Sequence, residues 1–92
     1  MIYYIGNREQ LIVKIGYTRD EKSLNERLIS LQTGNPYKLE IIDTREGCRY
    51  IESQLHLQLK EHNLTGEWFT LNDEVLKSVN NCIPELIIEE FK

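Results

Sequence analysis

A chain of 92 residues predicts one domain, which buries only about 60–65% of the surface its unfolded form exposes. No apolar run is long enough for a membrane helix, and no charged-then-apolar leader precedes the first strand, so neither a membrane span nor a signal peptide is expected. A net charge of −4 excludes a general nucleic-acid coat protein, which would be basic.

The charge is uneven. Residues 1–40 carry six Lys or Arg against five Asp or Glu, whereas residues 41–92 carry five against ten. A phosphate-facing surface therefore belongs to the N-terminal half, and the acidic remainder repels DNA or meets another partner.

Residues 1–5 (Met-Ile-Tyr-Tyr-Ile) and 11–16 (Leu-Ile-Val-Lys-Ile-Gly) are β-branched and aromatic runs separated by a polar loop, Gly6 to Gln10. They predict an antiparallel hairpin. A helix follows: Ser23 and Glu26 have capping-box spacing, Leu24, Leu28 and Leu31 form an apolar stripe, Gly34 stops it and Pro36 comes after. Residues 38–44 suit a third strand. A second helix is expected over roughly 46–62, where Cys48, Ile51, Leu55 and Leu59 recur at helical spacing.

Gly66 then opens a short extended piece, Glu67 to Leu71, with Trp68 and Phe69 as packing anchors. A last helical stretch is expected over 73–80, and Pro84 precedes the apolar Leu86-Ile87-Ile88, either helix or strand. The order ββαβα implies an α+β fold: a three-stranded antiparallel sheet flanked by helices. Residues 1–70 would form the core, and 71–92 a C-terminal extension packed on it. Cys48 and Cys82 lack metal- or redox-motif spacing. They predict free thiols in a reducing compartment, with a single disulfide as the open alternative. The compartment would be the cytoplasm, or the nucleus if the chain comes from a eukaryotic virus or its host.

Several polar residues are not explained by packing. Arg27 lies beside the stripe of the first helix, and Glu52 and His56 each follow a core position of the second. An arginine and a glutamate on helix rims over one small sheet can meet; the simpler reading is a structural ion pair. Tyr3 and Lys14 share a face of the hairpin if paired residue numbers sum to an odd value; a one-residue slip separates them. Together, an ammonium would lower the phenol's pKa and prepare it to take a proton from water. Otherwise Tyr3 packs in the core and Lys14 blunts an exposed strand. Glu52 with His56 lacks a third ligand for zinc, His62 reads as a solvated cap, and Trp68 as a core plug.

In this order the positions resemble the GIY-YIG endonuclease superfamily. Ile2-Tyr3 matches the end of the first motif, with Met1 where glycine is usual. After ten intervening residues, Lys14-Ile15-Gly16 matches the second, with lysine in place of tyrosine. The likeness is closest to a phage, viral and bacterial branch that keeps this lysine. The branch continues with Arg-Leu, Leu-Gln-Thr-Gly-Asn-Pro, Glu-x3-His and Gly-Glu-Trp-Phe; here these are Arg27-Leu28, Leu31 to Pro36, Glu52 with His56, and Gly66 to Phe69. Coverage runs from residue 1 to about 70.

The resemblance implies a divalent-metal-dependent endonuclease that hydrolyses DNA by a single-metal mechanism. Tyr3 would be the general base or would position the attacking water, assisted by Lys14. Tyr17 would add a hydroxyl near the metal. Arg27 would clamp the scissile phosphate, and Glu52 would hold one Mg²⁺ or Mn²⁺. His56 would support Glu52 or touch a phosphate, and Asn63 is the nearest match to an asparagine that often follows the glutamate. Leu31 stands where many relatives have histidine or tyrosine. The alternatives are a catalytically inactive module that binds nucleic acid or protein, and a structural subunit docking through Leu86-Ile87-Ile88 and Phe91. So small a module would need a homodimer or a partner protein to add contacts on DNA.

Overall fold

The computed structural model describes residues 1–81. Cys82, Pro84, Leu86-Ile87-Ile88 and Phe91, and the expectations attached to them, lie outside the described residues. Strand β1 (Ile2–Asn7) and strand β2 (Ile12–Tyr17) form the expected antiparallel hairpin, with Tyr3 opposite Gly16 and Ile5 opposite Lys14. Paired numbers sum to an odd value, so Tyr3 and Lys14 lie on one face. Helix α1 (Glu21–Gln32) follows, then strand β3 (Glu40–Arg45), which pairs with the other side of β1.

The sheet has five strands in the order β3-β1-β2-β5-β4, rather than the three expected. The added strands are β4 (Asn63–Thr65) and β5 (Trp68–Thr70). Three residues are too few to show an alternating pattern in sequence. β5 pairs with β2, Lys14 opposite Trp68, and the Ile15 N–H donates to the Glu67 carbonyl at 3.1 Å. β2 is therefore an interior strand, and Lys14 does not blunt an exposed edge.

β1 is buried on both faces, which is why its sequence is continuously apolar rather than alternating. On one face Ile2, Tyr4, Val13, Ile15 and Phe69 pack under Ile51, Leu55 and Leu59. Leu71, Val75 and Val79 complete that layer. On the other face Tyr3 and Ile5 meet Leu24 and Leu39, with Leu28, Leu31 and Trp68 around them. Tyr4 keeps its hydroxyl satisfied against Ser78 Oγ at 2.8 Å, as a buried phenol requires.

Three helix boundaries differ from the sequence reading. α1 starts at Glu21, because the Asp20 carboxylate accepts from the Ser23 N–H at 2.8 Å and takes the capping role expected of Ser23. Helix α2 is shorter than expected, Arg49–Gln58, and Cys48 is its exposed N-cap instead of part of the apolar stripe. The chain then tightens into a 3₁₀ turn, Lys60–His62, that keeps Leu59 buried. Helix α3 spans Asp73–Lys77, capped by Asn72, and continues as a 3₁₀ turn through Ser78–Asn81.

The turn between β1 and β2 ends on Leu11 with φ of 55°, in the left-handed region, where it is exposed. A branched L-residue there costs roughly 1–2 kcal/mol, and asparagine tolerates the conformation better. Leu11→Asn should stabilise the fold by about 0.5–1 kcal/mol, read as a higher urea midpoint at unchanged m-value. An unchanged or lower midpoint would show that Leu11 carries no strain.

Candidate active site

The cleft forms at the end of the sheet where β1 begins, β2 ends and the segment leading into β5 begins. It has a volume of about 380 Å³ and is lined by Tyr3, Tyr17, Arg27, Arg49, Glu52, Ser53 and Glu67. Four residues singled out in the sequence thus converge from separate elements: Tyr3 from β1, Tyr17 from β2, Arg27 from α1 and Glu52 from α2. The two helices cover opposite faces of the sheet, and only at its end can side chains from both reach one space.

Tyr3 is buried, with 2% of its surface exposed, yet its hydroxyl end reaches the cleft. Its ring crosses over Gly16, its partner in the hairpin: a Cβ on residue 16 would overlap the ring and its hydroxyl. That contact gives the glycine of Lys14-Ile15-Gly16 a physical reason. Burial pushes the Tyr3 phenol up to about 12; Arg27 opposes the shift, while Glu67 and Glu52 add to it. The ammonium expected to lower this pKa is engaged elsewhere. Lys14 Nζ lies 3.1 Å from Glu67 Oε2 and 5.7 Å from the Trp68 ring centre. At neutral pH the phenol is protonated, a hydrogen-bond donor rather than a base.

The two carboxyls are unequal. Burial and the neighbouring charge of Glu67 raise the Glu52 carboxyl, with His56 and Arg49 in opposition. Burial also works against the charged form of Glu67, but the Lys14 contact and a hydrogen bond with Glu52 hold it below the ordinary glutamate range. Glu52 therefore keeps its proton to higher pH than Glu67. The two carboxyls form an oxygen-donor pair beside the Lys14 ammonium.

The supporting residues act on the frame. His56 Nε2 is 2.9 Å from the Ile15 carbonyl and 3.9 Å from Glu52 Oε1. The ring donates to that carbonyl and ties α2 to β2 beside Gly16, fixing the helix that carries Glu52. Its ring also packs on Phe69 at 5.1 Å. Asn63 lies outside the cleft wall: its amide donates to the carbonyls of Gly66 and Trp68 at 2.8 and 3.2 Å and clamps the β4–β5 turn. It thereby holds the hairpin on which Glu67 stands. His62, expected as a solvated cap, is partly buried and contacts Glu74 and Asn72.

Sequence reasoning missed Glu67 and Arg49 as site residues. Glu67 stands inside the Gly66-Glu67-Trp68-Phe69 segment, which was singled out as a whole without a role for its acid. Arg49 precedes Glu52 by three residues, one helical turn, and its guanidinium stacks over Tyr17 at 5.6 Å.

The site defines a class: a small α+β domain in which a tyrosine, an arginine and a pair of glutamates close over one end of a helix-flanked sheet. The T5orf172 domain model matches residues 1–84, and the chain belongs to that family, a GIY-YIG-like, nuclease-associated one. Searches of curated proteins and of solved structures return no match. Among the described residues, no helix is long and apolar enough to cross a membrane.

Two stability measurements test this geometry. The folded Glu52 pKa is raised above the unfolded value, so stability is lost as pH climbs from the unfolded to the folded pKa. Glu52→Gln should therefore raise the melting temperature at neutral pH, with the gain vanishing in acid, where both states hold the proton. A gain independent of pH would point to packing. Gly16→Ala should destabilise by about 1–3 kcal/mol through overpacking against Tyr3; a neutral substitution would place the ring elsewhere.

Proposed function

We propose that this chain is a divalent-metal-dependent DNA endonuclease of GIY-YIG type. The single observation that carries the reading is the convergence of Tyr3, Tyr17, Arg27 and Glu52 on one cleft, in a chain of a nuclease-associated family. Arg27 is exposed at the rim, and among the described residues no ion pair engages it. A free guanidinium is suited to a phosphate and to the negative charge that grows on it during displacement.

The donor set fits Mg²⁺ or Mn²⁺ rather than zinc. Among the described residues there is no cluster of three or more His, Cys, Asp or Glu. Mg²⁺ is commonly held by one or two carboxylates, its other positions filled by water and substrate phosphate. Glu52 would be the ligand, with Glu67 beside it and Lys14 balancing the second charge. Such an ion supplies a more acidic bound water and a counter-charge for the phosphate oxygens.

The remaining roles follow from the protein's own atoms. Tyr3, protonated at neutral pH, donates a hydrogen bond that orients the attacking water or a phosphate oxygen; it is not a ready-made base. Tyr17 offers a second hydroxyl at the mouth. Lys14 neutralises Glu67, so that the acidic end of the cleft does not repel a phosphodiester. His56 and Asn63 hold the elements that carry Glu52 and Glu67.

The raised Tyr3 pKa also favours a second reading, a module that binds a strand without cutting it. Cleavage of plasmid, linear duplex and single-stranded DNA with Mg²⁺, Mn²⁺ or EDTA separates the two. The nuclease reading expects cutting that EDTA abolishes, and a loss of at least about 10²-fold in rate for Arg27→Ala and for Glu52→Ala. Equal cutting by the Glu52→Ala protein would sink it. Binding without turnover on any substrate would establish the second reading.

A further inference from the structure

A second cleft, of about 500 Å³, adjoins the first and shares Tyr17, Arg27 and Arg49 with it. Its wall adds Arg19, the hydroxyls of Ser23 and Ser30, and one carboxylate, Glu26. Three arginines against one acid give this wall a formal charge of +2 in a chain whose net charge is −4. The described ion pairs engage none of these arginines, and the one ring contact, Arg49 over Tyr17, leaves the guanidinium edge open. All three are exposed.

Arg19 is an exposed side chain on a fixed backbone. Thr18 before it is buried, and its N–H donates to the Met1 carbonyl at 2.9 Å. Asp20 after it is locked into the cap of α1 by the Ser23 N–H. Arg49 is likewise set by the first turn of α2 and by the Tyr17 ring. Guanidinium groups on anchored backbone bind oxyanions with less ordering loss than groups on free loops. The two clefts differ in chemistry: the first holds both glutamates, while the second is basic and lined with hydroxyls.

We infer that the second cleft is a non-catalytic phosphate subsite, in which Arg19 and Arg49 grip the backbone phosphate of the DNA strand next to the one lodged at Arg27. This rests on the nuclease or strand-binding reading above and adds to it a path for the strand. The strand runs from the Glu52–Glu67 end past Arg27, over the Tyr17–Arg49 stack, to Arg19 and Ser30. Within the second cleft Glu26 is the one opposing charge. The grip is to phosphate, so it is indifferent to base sequence.

The test measures binding of fluorescein-labelled duplex and single-stranded oligonucleotides in EDTA, where turnover is absent, across a series of salt concentrations. Each phosphate contact contributes a slope of about 0.9 for duplex and about 0.7 for single strands in the log–log plot of affinity against salt. Arg19→Ala should lower the slope by about one such contact and weaken binding on the order of tenfold at low salt. Arg19→Ala with Arg49→Ala should lower it further, Arg19→Lys should keep the wild-type slope, and Glu26→Gln should tighten binding. Circular dichroism confirms the fold, and Arg19→Gln replaces the alanine variant should that one fail to fold.

A methylphosphonate scan then neutralises one phosphate at a time. Wild-type binding should drop at a position flanking the central contact, and Arg19→Ala should be insensitive there. Unchanged slopes for Arg19→Ala and for the double variant, with wild type binding normally, overturn the subsite and leave the reading of the first cleft intact. Absence of wild-type binding to either oligonucleotide overturns both.

Discussion

The pairing of Tyr3 with Gly16 is the constraint on which the rest of the site depends. In an antiparallel pair a one-residue slip moves every side chain to the opposite face. Here the register sends Tyr3, Ile5 and Lys14 to the side covered by α1, and Ile2, Tyr4 and Ile15 to the side covered by α2. Only glycine at position 16 leaves room for the Tyr3 ring to cross its partner strand and bring its hydroxyl to the sheet's end. The His56 bond to the Ile15 carbonyl then ties α2 to the same point. Phenol and carboxyl are thus referenced to one residue pair.

The electrostatics of the cleft come from the extended piece that sequence analysis placed at Glu67 to Leu71 without assigning it to the sheet. β5 brings Glu67 to the cleft through its backbone bond with Ile15, and Glu67 takes Lys14 away from Tyr3. Both outcomes disfavour charge within the cleft: the phenol and Glu52 hold their protons more tightly than they would in water. An arrangement selected for stability alone would replace these groups with apolar ones of similar volume. Their presence beside Arg27, which no ion pair engages among the described residues, is the observation on which the proposed function rests.

Much of this was legible in the residues. The continuous apolar run of β1, the Leu24/Leu28/Leu31 stripe and the Ile51/Leu55/Leu59 stripe carried enough periodicity to place both strands of the hairpin and both main helices. β4 was missed, and β5 was read as an extended piece without its place in the sheet, because three-residue strands show no alternation and are held by backbone bonds that leave no mark on composition. The α1 boundary depended on which of two polar residues capped it; Asp20 sits in extended conformation just before the first turn, and Ser23 lies inside it. Cys48 matched the apolar spacing of α2 but falls at the helix end, where that spacing carries no burial.

For the site, Tyr3, Tyr17, Arg27 and Glu52 were reached through the resemblance, and the fold places them in one space. Asn63 was named as a supporting residue, and its amide clamps the β4–β5 turn that carries Glu67. Arg49 and Glu67 escaped notice because neither breaks a pattern. One is an ordinary charge at a helix start, the other an ordinary acid after glycine, and only the sheet order brings them to Tyr17 and Glu52.

The overall acidity, which counted against DNA, looks different once charges are assigned to places. Long-range repulsion from a net charge of −4 is screened over roughly 8–10 Å at physiological salt, so a phosphate in the cleft responds to the groups lining it. Those are Arg27 and Arg49, Glu67 paired with Lys14, and Glu52, whose carboxyl is pushed up by burial. The shift on Glu52 and the ion pair of Glu67 both work against negative charge at that end of the cleft. Under the reading proposed above, the strand and the ion would not compete for the same residues: the arginines would hold the one and the carboxyls the other.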